Sequence, residues 1–331
     1  MPAARRLSTL VAALGAGTLA CASASPGAGR PGSPAAREAT SPAAEAGSGG
    51  AGAGAAVPAA GGGPVRLTFA WPQDLQARVT LDHREQRSGE TGFARFTHRM
   101  VVAPEGRALR VATRESEAEG NTPGLELNLA INEALDQIVT RAGAYLRTDG
   151  LDEAVELLGA RDDEARIASR VALERIAALD WELLAGAWAG RSLRPGEPAA
   201  HQFQASVPLL PGVPALLDVE LRLVGRVPCE EGDAEPRCVE LAWRGVPGPG
   251  ARAAAVERIR GAQEPGAAPL ELEDLRATIE ARLVAEPETL LPHRLRVAEE
   301  LRLTVRQPGG DAEEVVDRAD DRYRFAREVE F

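Results

Sequence analysis

The sequence predicts an α+β fold whose main element is an antiparallel sheet. Apolar and polar residues alternate through most segments of 76–329, and polar turns separate one alternating segment from the next. The alternation gives way to a helical period over 151–188. A period of two is typical of strands with one buried face, and strands joined by short turns pair antiparallel. We expect a curved meander or half-barrel with a long helical segment packed on one face.

Four segments in the first half of the domain are predicted strands, namely 76–85, 93–102, 108–114 and 138–148. His83 and His98 fall on the apolar faces of two neighbouring strands in this set. Because side chains on one face of adjacent strands meet, we expect these two histidines to be neighbours in space.

Residues 151–188 carry apolar side chains at helical spacing. They predict one amphipathic helix, or two helices broken near Gly159, with Asp149 or Gly150 capping the start. Trp181 and Trp188 are on one face of this helix and are expected to pack against the sheet. Shorter helices are predicted over 129–137 and 251–261.

Strand patterning returns over 278–285, 295–297, 301–305 and 323–329, with breaks at Pro287, Pro292 and Pro308-Gly309-Gly310. The order of strands, then helices, then strands is that of an α+β domain. The two strand-rich blocks allow a domain of two similar halves, although no residue-level repeat is visible.

Two alternating runs, 218–227 and 239–243, are joined by a polar loop and predict a hairpin. Cys229 and Cys238 are at the strand ends that flank this loop, where a disulfide closes it and contributes about 2–3 kcal/mol. A metal or redox pair is disfavoured, because the spacing is not Cys-x-x-Cys and no histidine is near in the sequence.

The N-terminus has the organisation of an export signal. Arg5 and Arg6 precede an apolar stretch over 7–19, shorter than the about 20 residues that a transmembrane helix needs. Cys21 follows where bacterial lipoproteins carry their lipid, although Thr18 stands where leucine is usual. We expect a signal peptide over 1–20 and lipidation of Cys21.

Ala22, rather than an aspartate, follows the cysteine and favours sorting to the outer membrane. The alternative is cleavage near Ala24, which would release a soluble periplasmic or secreted protein. Residues 21–64 are mostly Ala, Gly, Ser and Pro, so we expect a disordered tether that holds a β-rich domain over 65–331 away from the membrane.

Charge and motifs exclude several classes of protein. The formal net charge of −11 repels phosphate backbones and argues against nucleic-acid binding. The four histidines, the last two being His201 and His293, lie in separate segments without metal-ligand spacing. No nucleophile elbow and no glycine-rich phosphate loop after a strand is present. The acidic run 311–321 is interpreted as a solvated surface, and we expect no catalytic residue, cofactor or metal.

The order of Cys21, flexible linker and paired early strands, together with the segments 144–153 and 283–292, resembles uncharacterised bacterial exported lipoproteins. The segment 283–292 predicts a strand, a turn and a returning strand. The resemblance covers most of 65–331 and implies a β-rich exported domain, with no catalytic residues to carry over.

These observations favour a non-catalytic envelope lipoprotein that binds a lipid, another apolar molecule or an envelope protein. A structural scaffold of the envelope is the alternative, and a hydrolase with an unrecognised site is a third hypothesis. An apolar cavity between 151–188 and the sheet would favour a ligand carrier, and a filled interior a scaffold. A cleft with His83 or His98 beside a Ser, Asp or Glu would favour a hydrolase.

Overall fold

The computed structural model describes residues 63–87, 89–261, 271–306 and 312–328. The predicted signal peptide, Cys21 and the predicted tether up to residue 62 lie outside these ranges. None of the helices in the described ranges has the length and hydropathy needed to cross a membrane.

The described chain is mainly antiparallel sheet, as the alternation predicts. The strands are β1 Val65–Arg66, β2 Gln76–Arg87, β3 Glu90–Glu105, β4 Ala108–Gly120, β5 Asp136–Thr140, β6 Tyr145–Asp149, β7 Ser192–Leu193, β8 Pro198–Val207, β9 Leu210–Val227, β10 Cys238–Pro247, β11 Glu271–Ala285, β12 Pro292–Arg306 and β13 Ala312–Arg327. Eleven of them form one sheet in the order β6-β5-β4-β3-β2-β13-β12-β11-β10-β9-β8. β1 and β7 pair separately.

Two meanders make up this sheet, β2–β6 and β8–β13, and the pairing of β2 with β13 joins them. The sheet is open and uncurled, with β6 and β8 as its edges. This open, uncurled sheet departs from the curved half-barrel that the pattern predicts, because among the described strands no ladder pairs β6 with β8 to curl it. The helix over Asp163–Trp181 contacts both of these edge strands instead.

The helices are α1 Leu125–Ala134, α2 Leu151–Leu157, α3 Asp163–Trp181 and α4 Gly250–Gly261, and a π-helical turn, Glu182–Gly186, continues α3. Gly150 begins α2 with φ 85°, in the left-handed region that glycine adopts without steric cost. Asp162 caps α3 by accepting a hydrogen bond from the Ala165 amide at 2.7 Å.

Several strands are longer than their patterns predict, and β12 and β13 are the informative cases. β12 runs without a break through residues that the sequence divides into 295–297 and 301–305. β13 begins at Ala312, well before the predicted start at residue 323. In both cases carboxylates occupy positions on the apolar face, namely Glu299 on β12 and Asp317 and Asp321 on β13, and these interrupt the alternation on which the prediction rests.

Tryptophans hold α3 against the rest of the core. Trp181 and Trp188 are fully buried, which confirms the packing expected of them. The rings of Phe69, Trp71 and Trp181 contact one another at centroid distances of 5.3–5.6 Å. The Trp181 indole also donates a hydrogen bond to the Gly143 carbonyl at 2.8 Å, so its polar atom is satisfied inside the core.

The opposite face of the sheet is charged. Arginines on it pair with carboxylates on the same or neighbouring strands, as in Arg95–Asp82 at 2.7 Å and Arg296–Asp320 at 2.8 Å. Each such exposed pair stabilises the fold by no more than about 1 kcal/mol. Their collective consequence is a largely polar outer surface, apart from the small apolar cluster that Val227, Val284 and the disulfide cysteines form.

We expect Trp181→Ala to lower the free energy of unfolding by about 3–5 kcal/mol, since it removes a buried ring and leaves a cavity. Ile167→Ala on the same helix is the matched control, because Ile167 is 65% exposed, and it should change stability by less than about 0.5 kcal/mol. Urea denaturation measures both. Equal losses in the two variants would contradict the role of Trp181.

Candidate ligand-binding cavity

A cavity of about 180 Å³ lies between α3 with its π-helical turn and the apolar face of the sheet, and it is partly open to solvent. Most of its wall is apolar, including Val79, Leu81, Phe96, Ile176, Leu295 and Phe325. Alternate residues of β2, β3, β12 and β13 supply the sheet side, because every second side chain points to the same face. The helix side comes from α3 and its π-helical turn, with Asn132 of α1 beside them.

Residues that lie opposite one another on neighbouring strands form rows across the sheet, and these rows change from apolar to charged along the strands. Successive rows are Phe325–Val79–His98, Tyr323–Leu81–Phe96, Asp321–His83–Ala94 and Glu299–Ala319–Glu85. Rows are two residues apart along each strand, or roughly 7 Å. The region between α3 and the sheet therefore has an apolar end and a charged end.

His83 is the central group of the charged end. Its side chain is 2% exposed, with Nδ1 at 2.5 Å from Asp321 Oδ1 and Nε2 at 3.8 Å from Glu85 Oε2. Burial by itself would lower the pKa of His83, but the hydrogen bonds and charges of Asp321 and Glu85 outweigh it and raise that pKa to about 10. At neutral pH the ring is an imidazolium held between two carboxylates.

Three carboxyl groups from different elements converge at this end: Asp180 on α3, Glu299 on β12 and Asp321 on β13. All three line a smaller adjoining cavity of about 70 Å³, and Asp180 and Asp321 also line the larger one. Burial, followed by the charges of Asp321 and Glu299, raises the pKa of Asp180 well above its ordinary value. Burial, followed by the charge of Asp321, raises the pKa of Glu299 to about 7.

These carboxyls have few hydrogen-bond partners. The Asp180 carboxyl forms no hydrogen bond or ion pair with any residue in the described ranges. The Leu209 backbone amide donates to the carboxylate of Glu299, but Glu299 Oε2 is buried from solvent without a partner. Buried polar atoms are normally hydrogen-bonded, so an unpartnered one facing a cavity marks a position where a ligand can bind.

Two further ionisable groups of the wall stay neutral near neutral pH. Burial lowers the pKa of His98 to about 4. Burial and the nearby charges of Asp321, Asp180 and Glu299 raise the pKa of Tyr323 well above its ordinary value. The rows around these side chains therefore carry no charge, which suits the apolar part of a ligand.

The structure places His83 and His98 in one cavity but not in contact. His98 is opposite Val79, whereas His83 is opposite Ala94, four positions further along β2. That spacing corresponds to roughly 13 Å along the strand. The two histidines are therefore separate components of the wall, and they do not form a pair.

The interpretation of the acidic run 311–321 as a solvated surface is wrong for two of its members. Asp317 is 2% exposed, and Asp321 pairs with buried His83. Their neighbour Asp320 does lie on the outer face, beside Arg296. Sequence reasoning also missed Asp180 and Glu299, and the signal that could have identified Glu299 is the break it makes in the apolar alternation of β12.

The other two histidines have local partners. His201 Nε2 lies 2.5 Å from Glu182 Oε1, and its Nδ1 lies 3.2 Å from Arg191 Nη2, so the π-helical turn is joined to β8. Burial raises the pKa of Glu182, and the hydrogen bond and charge of His201 partly offset this effect. His293 Nδ1 lies 2.7 Å from Glu230 Oε1 at the surface.

The structure contains the Cys229–Cys238 disulfide that the hairpin pattern predicts, at the ends of β9 and β10. The argument that no histidine is near these cysteines is wrong in space, because possible ligand atoms of His293 and both cysteines lie within 4.8 Å of one another. Both sulfurs are committed to the disulfide, so neither is a thiolate that could bind a metal.

No protein-family model and no curated protein matches the chain. Among solved structures, it is similar to one described as lipid-protein interactions in lipovitellin, with a TM-score of 0.41, 8% identity and coverage of 78% of this chain and 26% of that chain. A second is described as a conserved protein of unknown function with hot dog fold from Alicyclobacillus acidocaldarius. Its TM-score is 0.11, with 13% identity and coverage of 78% and 82% of the two chains. Both scores are too low to carry a structural argument.

We expect Glu299→Gln to stabilise the protein at pH 8 by about 3 kcal/mol and to have little effect at pH 4.5. In the folded state the pKa of Glu299 is raised to about 7. Its contribution to the free energy of unfolding is therefore complete below the pKa that the carboxyl has in the unfolded chain, and it is lost as the pH rises through 7. Thermal unfolding of wild type and variant between pH 4.5 and 8 measures the difference.

Glu300→Gln is the matched control, since Glu300 is the next residue along β12 and faces the other side of the sheet. Its hydrogen bonds with Arg302 and Arg318 lower the pKa of Glu300, so its removal should not stabilise the protein at pH 8. A stability gain from Glu299→Gln that is the same at both pH values would contradict the raised pKa.

Proposed function

We propose that this chain is a non-catalytic lipoprotein of the bacterial cell envelope that binds a small apolar ligand between α3 and the sheet. The observation that carries the proposal is the apolar cavity of about 180 Å³, which residues of the core elements enclose on both sides. Apolar concave sites with a few converging polar groups are typical of ligand-binding proteins.

The volume of the cavity limits the size of the ligand. Apolar cavities of about 150 Å³ hold a benzene-sized molecule, and sites for drug-sized ligands are typically about 300 Å³ or more. The cavity therefore suits one ring or one short hydrocarbon segment, with the adjoining space of about 70 Å³ available for a polar group. The proposed ligand is one small molecule rather than a cluster of lipids.

The cavity also discriminates between the proposed function and a structural scaffold of the envelope. A scaffold gains nothing from empty space inside its core, because each unfilled volume costs van der Waals contacts. A cavity of this size next to α3 supports a ligand carrier instead, and a protein partner could still bind elsewhere on the surface.

A hydrolase is disfavoured by the ionisation of its best candidate. His83 and Asp321 have the spacing of a histidine–carboxylate pair. A general base, however, must be unprotonated near the working pH, and the pKa of His83 is raised to about 10. The imidazolium between Asp321 and Glu85 supports a role in holding β2 to β13.

The proposed anchor rests on the sequence. Cys21 would carry the lipid, and residues 22–64 would be the tether between membrane and domain. Outer-membrane attachment is favoured by Ala22, and cleavage near Ala24 with release into the periplasm remains the alternative. The Cys229–Cys238 disulfide fits an oxidising compartment outside the cytoplasm.

We expect toluene to raise the melting temperature by roughly 3–6 °C at ten times its dissociation constant, since binding at that concentration adds about 1.4 kcal/mol. Ala177→Leu should abolish this shift, because Ala177 lines the cavity from α3 and the larger side chain fills it. Ala168→Leu on the exposed side of α3 should leave the shift intact. If the shift persists in Ala177→Leu, toluene binds somewhere else.

We expect Cys21→Ser to remove lipid labelling and to move the protein from the membrane fraction to the soluble fraction. A thiol is needed for the acyl attachment, and a single serine hydroxyl does not replace it. Metabolic labelling with palmitate and mass spectrometry of the mature N-terminus measure the change, with Cys229→Ser as the control that keeps its label. An unlabelled wild type that starts after Ala24 would support the soluble alternative.

A further inference from the structure

We propose that the charged end of the cavity binds the protonated amine of an amphiphilic ligand, an inference that rests on the ligand-binding function proposed above. Asp180, Glu299 and Asp321 come from three separate elements and meet where the two cavities adjoin. This convergence places hydrogen-bond acceptors around a space that the protein's own side chains leave unfilled.

Among the described residues, carboxyl groups outnumber cations at this end of the cavity. His83 is paired with Asp321 and Glu85, and Arg87 Nε lies 2.8 Å from Glu85 Oε2. None of the described cations pairs with Asp180. Glu299 accepts from the Leu209 backbone amide, and the charges of Arg87 and His83 lower its pKa by less than burial and Asp321 raise it. Each of these carboxyls faces the negative charge of Asp321, so the local potential favours a positive group.

An ammonium group fits the available acceptors. It has three donor hydrogens and no acceptor, which matches Asp180, the free Oε2 of Glu299 and the hydroxyl oxygen of Tyr323. A ligand carboxylate would add a negative charge to a cluster of carboxyls. The same cavity should therefore reject fatty acids of matching size.

The apolar rows determine the chemical character of the part of the ligand beyond its amine. The two rows beyond His83, of which the Phe325 row is the far end, contain uncharged side chains that include neutral His98. A ring or short chain there would contact apolar side chains while its amine reaches the carboxyls. The ligand class is therefore a small hydrophobic amine.

The test is isothermal titration of the purified chain with four probes that share one ring: toluene, benzyl alcohol, benzylamine and benzoate. At pH 8 we expect benzylamine to bind at least about tenfold more tightly than benzyl alcohol, and benzoate to bind most weakly, since charge-assisted hydrogen bonds are the stronger ones. Asp180→Asn should remove most of the amine preference and leave toluene affinity within about twofold.

Glu299→Gln should also reduce benzylamine affinity, and Glu300→Gln on the outer face should not. Wild-type affinity for benzylamine should rise from pH 5 to pH 8 as Glu299 ionises, whereas toluene affinity should stay constant. Among the described residues, the charged and titratable groups at this end are Asp180 from α3, Glu299 from β12, Asp317, Asp321 and Tyr323 from β13, and His83, Glu85 and Arg87 from β2.

The possible failures are distinguishable. If toluene and benzyl alcohol bind but benzylamine binds no better, or if Asp180→Asn weakens all four probes equally, the amine inference is overturned and the apolar site remains. If none of the four probes binds, the ligand-binding function is overturned together with it.

Discussion

The structure depends on the pairing of β2 with β13, the first and the last strands of the large sheet. Each of the other neighbours in that sheet is adjacent in the chain, so this one ladder joins two meanders that would otherwise be separate sheets. A contact between strands more than two hundred residues apart costs much chain entropy, which the apolar face beneath α3 must offset. The His83–Asp321 ion pair crosses this ladder, at its buried face.

The His83–Asp321 ion pair contributes to the stability of the β2–β13 ladder, and Asp321 also lines the candidate site. Charges inside an apolar layer are costly to desolvate, and a charge that loses its partner there is more costly still. The sheet nevertheless carries Glu85, His83, Asp321 and Glu299 on its buried face, with Asp180 facing them from α3. Burial and the neighbouring carboxylates raise the pKa of Asp180 and of Glu299, so the ionised forms of both groups are disfavoured at this position. A bound cation would relieve that cost, which connects the charge of the site to its proposed ligand.

The departures from alternation are more informative than the alternation itself. The sequence divides β12 near residue 299 and starts β13 late, because Glu299, Asp317 and Asp321 stand where apolar residues are expected. The pattern leaves Glu299 between two predicted strands and indicates a solvated surface for the other two, whereas the structure places all three on the inward face. Asp180 has no such signal, since one aspartate near the end of an amphipathic helix is ordinary. Only the packing of α3 on the sheet places it beside Asp321.

The sequence by itself determined the local features: the α+β class, most strands, the helical period near 151–188 and the hairpin whose ends Cys229 and Cys238 join. These follow from interactions between residues near one another in the chain, which periodicity and turn residues report. Only the tertiary structure decided that the sheet is open, that β2 pairs with β13, and that Asp180, Glu299 and His83 line one region. Those features depend on contacts across long sequence separations, and side-chain periodicity carries no information about which strands become neighbours.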